Sequence, residues 1–148
     1  MLGRTANGLF WMSRYLERAE NIARLIDAGF RMSLTRSVAT DEDWDGVLQS
    51  AGVREVYGEK SSKVTGNDAI DFLLRDKSNP SSVLNCMEFG RNNARMVRTA
   101  LTRESWESIN ESWLEIRKLL SKRVSHATLL DVIDAIKRRI ALMRGAFS

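Results

Sequence analysis

The chain has 148 residues, of which 43% are hydrophobic and 28% charged, and its formal net charge is +4. This length suits one domain around a single core, and both fractions are ordinary for a globular protein. No apolar run approaches the roughly 18 residues of a membrane span, and the N-terminal stretch lacks the cleavage site of a secretory signal. We therefore expect one soluble domain over residues 1–148.

Composition excludes several kinds of site. A single cysteine, Cys86, rules out an intrachain disulfide, and a single histidine, His126, leaves no zinc cluster. The lack of disulfides favours a cytoplasmic location, and without a glycine-rich phosphate loop no cofactor is predicted. Bases are interleaved with acids along most helices, which disfavours nucleic-acid binding. Residues 41–60 nevertheless hold six acids against two bases, and residues 101–148 hold nine bases against six acids.

The first half of the chain predicts one long helix and two short ones. Apolar residues recur three and four positions apart, which is typical of amphipathic helices. The first helix is predicted over residues 5–30, with a core face of Leu9, Met12, Leu16, Ala19, Ala23, Ile26 and Phe30. Thr40 is the predicted N-cap of a short helix that stops at Gly52, and residues 53–66 are predicted to form a loop before another short helix over residues 67–75.

The second half predicts long helices. Asn79 as N-cap and Pro80 at the first helical position start a helix that should run to Leu101, and Thr102 caps the next. That next helix carries the core stripe Trp106, Ile109, Trp113, Ile116 and Leu120. The last, over residues 128–143, carries Leu129, Ile133, Ile136, Ile140 and Met143. The predicted fold is all-α: a bundle of three to four long helices plus two short ones.

Two helices carry a second, polar stripe. On the first helix this polar seam comprises Asn7, Phe10, Arg14, Glu17, Asn21, Leu25 and Ala28, and apolar members among the charges suggest partial burial. On the helix after Pro80 it comprises Asn85, Glu88, Asn92 and Arg95. Buried charges must be paired, so inward-facing stripes would join Arg14 or Arg18 to Glu88 and Arg95 to Glu17.

Three interpretations of the seam remain open. As a binding site, its arginines and asparagines would hold a carboxylate, amide or phosphate. As a structural network, it would consist of buried salt bridges, or of the local pairs Arg14–Glu17, Glu20–Arg24 and Asp27–Arg31, and loss of a buried Arg18 would cost about 3–5 kcal/mol. As a catalytic site, it would use Glu17 or Glu88 as a base with a raised pKa. The candidate binding or network residues are Arg14, Glu17, Arg18, Asn21, Asn85, Glu88, Arg91, Asn92 and Arg95.

Other chemical groups are interpreted as structural. A column of four glutamates, Glu104, Glu107, Glu111 and Glu115, lacks the Glu-x-x-His pairs of a diiron site and is interpreted as a solvated or partner-facing stripe. Cys86 lies among Val83, Met87 and Phe89, which indicates a buried, inert thiol. His126 is interpreted as a capping or surface residue.

Two segments resemble a known family. The stretches MLGRTANGLFWMSRYLERAENIARLID and FLLRDKSNPSSVLNCMEFGRNNARMVRTALTRESWESIN are similar to the bacterial alpha-E domains, an all-helical family named for a Glu-Arg motif. The motif falls on Glu17 and Arg18, with Arg14, Glu20 and Asn21 around it. The later blocks fall on residues 79–82 and 91–95, where Asn92 replaces an expected glutamate.

The resemblance implies an accessory role. Family members are often about twice this long, so we expect an N-terminal half that covers exposed apolar surface by homo-oligomerisation. The family is typically found beside, or fused to, ATP-grasp-type ligases and transglutaminase-like proteins. This implies a non-catalytic accessory or binding domain in forming or modifying peptide or amide bonds.

Overall fold

The computed structural model describes residues 2–35 and 41–146, and within these ranges the chain is helical and contains no strand. The helices are α1 (Leu2–Thr35), α2 (Asp41–Ser50), α3 (Arg54–Lys60), α4 (Gly66–Arg75), α5 (Val83–Met96), α6 (Arg103–Leu119) and α7 (Leu129–Ala146), with a 3₁₀ turn at Arg98–Ala100. The predicted all-α class is confirmed. The described ranges hold four long helices, within the predicted three to four, and three short helices where two were expected. No helix in these ranges is long and apolar enough to cross a membrane.

The long helices α1 and α7 run antiparallel. Glu20 of α1 contacts Arg144 of α7 at 3.0 Å, and seven residues further along α1, Asp27 contacts Lys137 at 2.9 Å. Because the second contact lies seven residues earlier in α7, the two helices point in opposite directions. Partial burial raises the pKa of the Asp27 carboxyl, but hydrogen bonds from Lys137 and Arg31 outweigh this and hold the pKa below its usual range.

The other neighbouring long helices are also antiparallel. Along α1, Gly8 faces Val97 and Arg18 reaches Ser81, so α1 and α5 are antiparallel. On α6 and α7, Glu115 pairs with Arg139, and the Ser105 hydroxyl donates to the Ala146 carbonyl at 2.9 Å. Helices α1, α5, α6 and α7 therefore alternate in direction. Of the short helices, α2 and α4 contact α1, and α3 contacts α2.

The predicted core stripes are largely confirmed. The buried members are Met12, Leu16, Ala19, Ala23, Ile26 and Phe30 on α1, Ile109, Trp113 and Ile116 on α6 with Leu120 at its end, and Leu129, Ile133, Ile136, Ile140 and Met143 on α7. Leu9 and Trp106 are partly buried and pack against this core. Thr102 caps α6 as predicted, since its hydroxyl accepts from the Ser105 backbone N–H at 3.1 Å.

The loop predicted over residues 53–66 is wrong in its first half, because α3 forms there. Tyr57 in α3 is only 2% exposed and packs edge-on against Phe72 at 5.1 Å between ring centroids. Its hydroxyl donates to the Lys63 carbonyl at 2.8 Å. Burial of this aromatic side chain outweighs the local glycine and serine signals for a loop. The preceding stop at Gly52 is confirmed by its φ of 74°, whereas the predicted cap Thr40 lies outside the described residues.

The start of α5 also differs from the prediction. The N-cap is Ser82, whose hydroxyl accepts from the Asn85 backbone N–H at 3.2 Å, and not Asn79. Asn79 is fully buried, and its side chain bonds to the Phe72 carbonyl and the Ser81 N–H. The turn around Pro80 therefore precedes the helix. The helix also ends earlier than expected, at Met96 and not at Leu101.

Two glycine substitutions test the α1–α5 contact. Gly46→Ala should raise the free energy of unfolding by about 0.5–1 kcal/mol, because the added Cβ meets no atom within 4 Å and alanine favours a helix. Gly8→Ala places a Cβ 2.6 Å from the Cγ1 of Val97 and should lower this free energy by about 1 kcal/mol. Equilibrium urea unfolding measures both values. Equal stabilisation at the two positions would contradict the close approach of the helices at Gly8.

Candidate functional site

The polar seam of α1 lies mostly in solvent, so the predicted partial burial is wrong for most of it. Asn7, Phe10, Arg14, Asn21 and Ala28 are exposed, and only Glu17 and Leu25 are partly covered. The buried stripe of α1 is wide enough to fill the contacts with α5 and α7, and this turns the second stripe outward.

The interhelical ion pairs expected across the seam do not form. Glu88, Asn92 and Arg95 of α5 are exposed, and no ion pair in the described residues joins Arg14 or Arg18 to Glu88 or Arg95 to Glu17. The stripe that contains Glu88 lies opposite the core face of α5. A buried salt-bridge network is therefore excluded, and Glu17 and Glu88 lack the dry surroundings that the catalytic interpretation needs.

The local pairs expected within α1 do form. Arg14 contacts Glu17 at 3.4 Å, and Arg24 contacts Glu20 at 3.4 Å. Asp27 contacts Arg31 at 2.6 Å. The three arginines are about equally exposed, at 59–62% of the side chain. Pairs of this kind contribute little to stability, so they leave the arginines available for other contacts.

Arg18 differs from its neighbours because it connects three elements. Its Nε donates to the Ser81 hydroxyl at 2.8 Å, and its Nη2 donates to the Ala51 carbonyl at 3.1 Å. Ser81 lies in the turn before α5, and Ala51 follows α2. The arginine thus joins α1 to segments 33 and 63 residues away.

The turn before α5 is organised by two asparagines. The Asn85 side-chain amide donates to the Asn79 carbonyl at 2.8 Å and to the Lys77 carbonyl at 3.1 Å. Asn79 in turn donates to the Phe72 carbonyl at the end of α4, at 3.0 Å. In the sequence, only the block NPSS marks this cluster of hydrogen bonds. The prediction interpreted that block as a simple helix start and therefore missed the cluster.

The nine candidate residues therefore divide into two groups. Arg18 and Asn85 form structural hydrogen bonds, and Arg91 Nε donates to the Asn110 Oδ1 at 3.1 Å. The remaining six lie on the outer surface of α1 and α5: Arg14, Glu17, Asn21, Glu88, Asn92 and Arg95. None of the nine lines a described cavity.

The described cavities lie around α4 and the segment after α6. One of about 380 Å³ is lined by Asp71, Arg123 and His126, and one of about 490 Å³ by Arg75 and Arg117 with other residues. A third cavity, of about 180 Å³, is lined by Asp68 and Arg123. The charged groups in these walls are paired with one another: Asp68 contacts Arg123 at 2.8 Å, and Asp71 contacts Arg75 at 3.0 Å. The hydrogen bond from Arg123 is the main reason that the pKa of Asp68 lies below its usual range. No sequence signal indicated these cavities, because their walls come from segments about 50 residues apart.

Groups with catalytic or metal-binding potential are dispersed. In residues 2–35 and 41–146, no three histidine, cysteine, aspartate or glutamate side chains are placed to hold a metal ion. Of the glutamate column, Glu104, Glu107 and Glu111 are exposed, and Glu115 pairs with Arg139. His126 is at the surface, as predicted, in a T-shaped contact with Phe30 at 5.5 Å between ring centroids.

Cys86 is fully buried, as predicted. Burial raises the pKa of its thiol to about 11, and the nearby charge of Arg18 opposes this only in part. A thiol of this kind is protonated at neutral pH and lacks the thiolate that nucleophilic chemistry requires.

These features define an all-helical domain in which the arginine of a Glu-Arg pair connects the first helix to distant segments. The profile of the Alpha-E family, described as a predicted alpha-helical domain with a conserved ER motif, matches residues 1–148. The chain belongs to this family. No curated protein and no solved structure matches it.

The structural role of Arg18 predicts a measurable loss on its removal. Arg18→Ala deletes bonds to Ser81 and Ala51, and since the side chain is partly exposed, we expect about 1 kcal/mol lower free energy of unfolding. Arg14→Ala, one turn earlier on the same helix, loses only a local pair and should change stability by less than about 0.5 kcal/mol. Chemical denaturation compares the two variants. A larger loss for Arg14→Ala would contradict the assignment.

Cys86 predicts slow alkylation and a stability that falls at high pH. With a pKa of about 11, its thiolate population at pH 8 is about a hundredfold below that of an unburied thiol, so iodoacetamide should react mainly after unfolding. The folded chain also binds the thiol proton more tightly than the unfolded chain does, because the pKa of Cys86 is raised on folding. This proton linkage stabilises the fold fully at neutral pH, and the stabilisation is lost as the pH rises from about 9 towards 11. Rapid labelling of the folded chain at pH 8 would contradict the burial of Cys86.

Proposed function

We propose that this chain is a non-catalytic accessory or binding domain that works with an ATP-grasp-type ligase in peptide or amide-bond formation. The observation that carries the proposal is the outward position of the predicted seam. Six of the nine candidate residues lie on the solvent side of α1 and α5, where a partner can reach them. We favour docking over catalysis because none of the four cavities described around α4 is lined by these six residues.

The chemistry of this surface suits a protein partner. Arg14 and Arg95 provide guanidinium donors, Asn21 and Asn92 provide amides, and Glu88 provides an acceptor. These groups complement the polar rim of a protein–protein interface, where arginine is enriched and direct hydrogen bonds are common.

An aromatic series beside the polar groups adds apolar contact area. Phe10 and Trp11 are exposed, with ring centroids 5.4 Å apart, and Trp11 lies 6.2 Å from Tyr15. Tyr15 then contacts Phe89 of α5 at 5.3 Å, so the series crosses from one helix to the other. Exposed tryptophan and arginine in one region are typical of the residues that dominate binding energy.

The choice of ligase as partner rests on the family resemblance. In this proposal the ligase uses ATP to activate a carboxylate, and the helical domain docks the ligase or holds the peptide against α1 and α5. A transglutaminase-like protein is the second partner class that the resemblance implies. The inference rests on the ligases that typically occur beside members of the family, so a direct binding measurement is the test of it.

Alanine substitution on this surface tests the proposal. The dissociation constant for an ATP-grasp-type ligase encoded beside the gene should rise about tenfold or more in the double variant Arg14→Ala/Arg95→Ala, as for loss of contacts at an interface centre. Isothermal titration calorimetry measures it. Arg31→Ala is the matched control, because Arg31 is as exposed as Arg14 at 59% of the side chain and also has one local partner. Binding that is absent in the wild type, or equal in all variants, would contradict the proposal.

A further inference from the structure

Two arginines, Arg91 in the second half of α5 and Arg98 in the 3₁₀ turn that follows it, are held against one aromatic ring. The guanidinium carbon of Arg98 lies 5.0 Å from the Trp106 ring centroid, and that of Arg91 lies 5.9 Å from it. Arg91 is also fixed by its hydrogen bond to Asn110 at 3.1 Å. Neither arginine forms an ion pair with a carboxylate in the part of the chain that the structure describes.

The two arginine side chains are preorganised to bind a carboxylate. The tryptophan face and the asparagine restrict both side chains, so less conformational entropy is lost when an anion binds. A guanidinium group offers paired N–H donors that match the two oxygens of a carboxylate. Basic residues near a helix carboxyl end also interact favourably with its dipole, but that effect does not require a shared aromatic ring.

The chain itself carries an acidic counterpart at its other end. The first turn of α2 contains Asp41, Glu42 and Asp43, and Asp41 and Glu42 are exposed. Asp41 lines a cavity with Ser33, near the carboxyl end of α1. The arginines lie near the amino end of α1, where Gly8 faces Val97. The two patches are therefore about 40 Å apart along α1, too far to meet within one molecule.

Exposed apolar side chains accompany both patches. At the basic end, Met96 is 69% exposed and Trp11 45% exposed. At the acidic end, Met32 and Leu34 at the end of α1 are 47% and 63% exposed. The arginine pair and the acidic first turn of α2 thus each lie beside exposed apolar side chains, and the charges of these two groups are opposite. This combination fits an interface with an apolar centre and complementary charges around it.

We propose that the arginine pair on Trp106 binds the acidic first turn of α2 from a second copy of the chain, so that copies associate head to tail. The two contacting surfaces differ, so each copy keeps one unused basic end and one unused acidic end. Such a heterologous contact extends into open chains of subunits unless its rotation closes a ring. This association goes beyond the proposed ligase docking and does not depend on it.

Sedimentation velocity of the isolated chain tests the association. At about 20 mM salt the sedimentation coefficient should rise with protein concentration, and at about 500 mM salt the rise should be much smaller because salt screens the charges. The variants Arg98→Glu and Glu42→Arg should each raise the dissociation constant about tenfold or more. Arg117→Glu makes the same charge change near the carboxyl end of α6 and should associate like the wild type.

Mixing the two variants gives a sharper test. Arg98→Glu keeps a normal acidic end and Glu42→Arg keeps a normal basic end, so an equimolar mixture should form a dimer that stops growing. Circular dichroism of each variant alone checks that these exposed substitutions leave the helices intact. A wild type that remains monomeric at low salt overturns the proposal. Variants that stay monomeric when mixed, or that associate like the wild type alone, also overturn it.

Discussion

The apolar face of α1 is the surface on which the rest of the domain is built. Its stripe from Met12 to Phe30 is buried over nearly five turns, and α5, α7, α2 and α4 all contact this helix. Burial of a face of this width fixes the rotation of α1 about its own axis, and this rotation decides which way every other stripe of α1 faces. The outward position of Arg14 and Asn21 is thus a consequence of core packing.

The Glu-Arg motif has two different roles in this arrangement. Arg18 lies at the edge of the α1–α5 contact, where it reaches Ser81 and the Ala51 carbonyl and so helps to position both the turn before α5 and the end of α2. Glu17 is partly exposed, and among the ion pairs of the described residues its carboxylate pairs with Arg14 alone. The family motif therefore combines a structural arginine with an acid that remains available at the surface.

The functional proposals follow from where the domain leaves polar and aromatic groups uncovered. The cavities around α4 contain carboxylates that are already paired with Arg75 and Arg123, so a ligand there would have to displace existing ion pairs. In the part of the chain that the structure describes, the exposed charged residues of the seam, Arg14, Glu88 and Arg95, form no such interhelical pair. Both proposals therefore concern these outer surfaces and not the cavities.

The sequence by itself determined the all-α class, the core stripes of α1, α6 and α7, and the cap at Thr102. These features depend on residues three or four positions apart, and such local spacing can be recognised from the sequence alone. Only the tertiary structure decided the partners of Arg18, the inward position of Asn79, the formation of α3 around Tyr57 and the exposure of Glu88 and Arg95. Each of these depends on segments far apart in the chain, because a helix with two possible faces is oriented by the neighbours that pack against it.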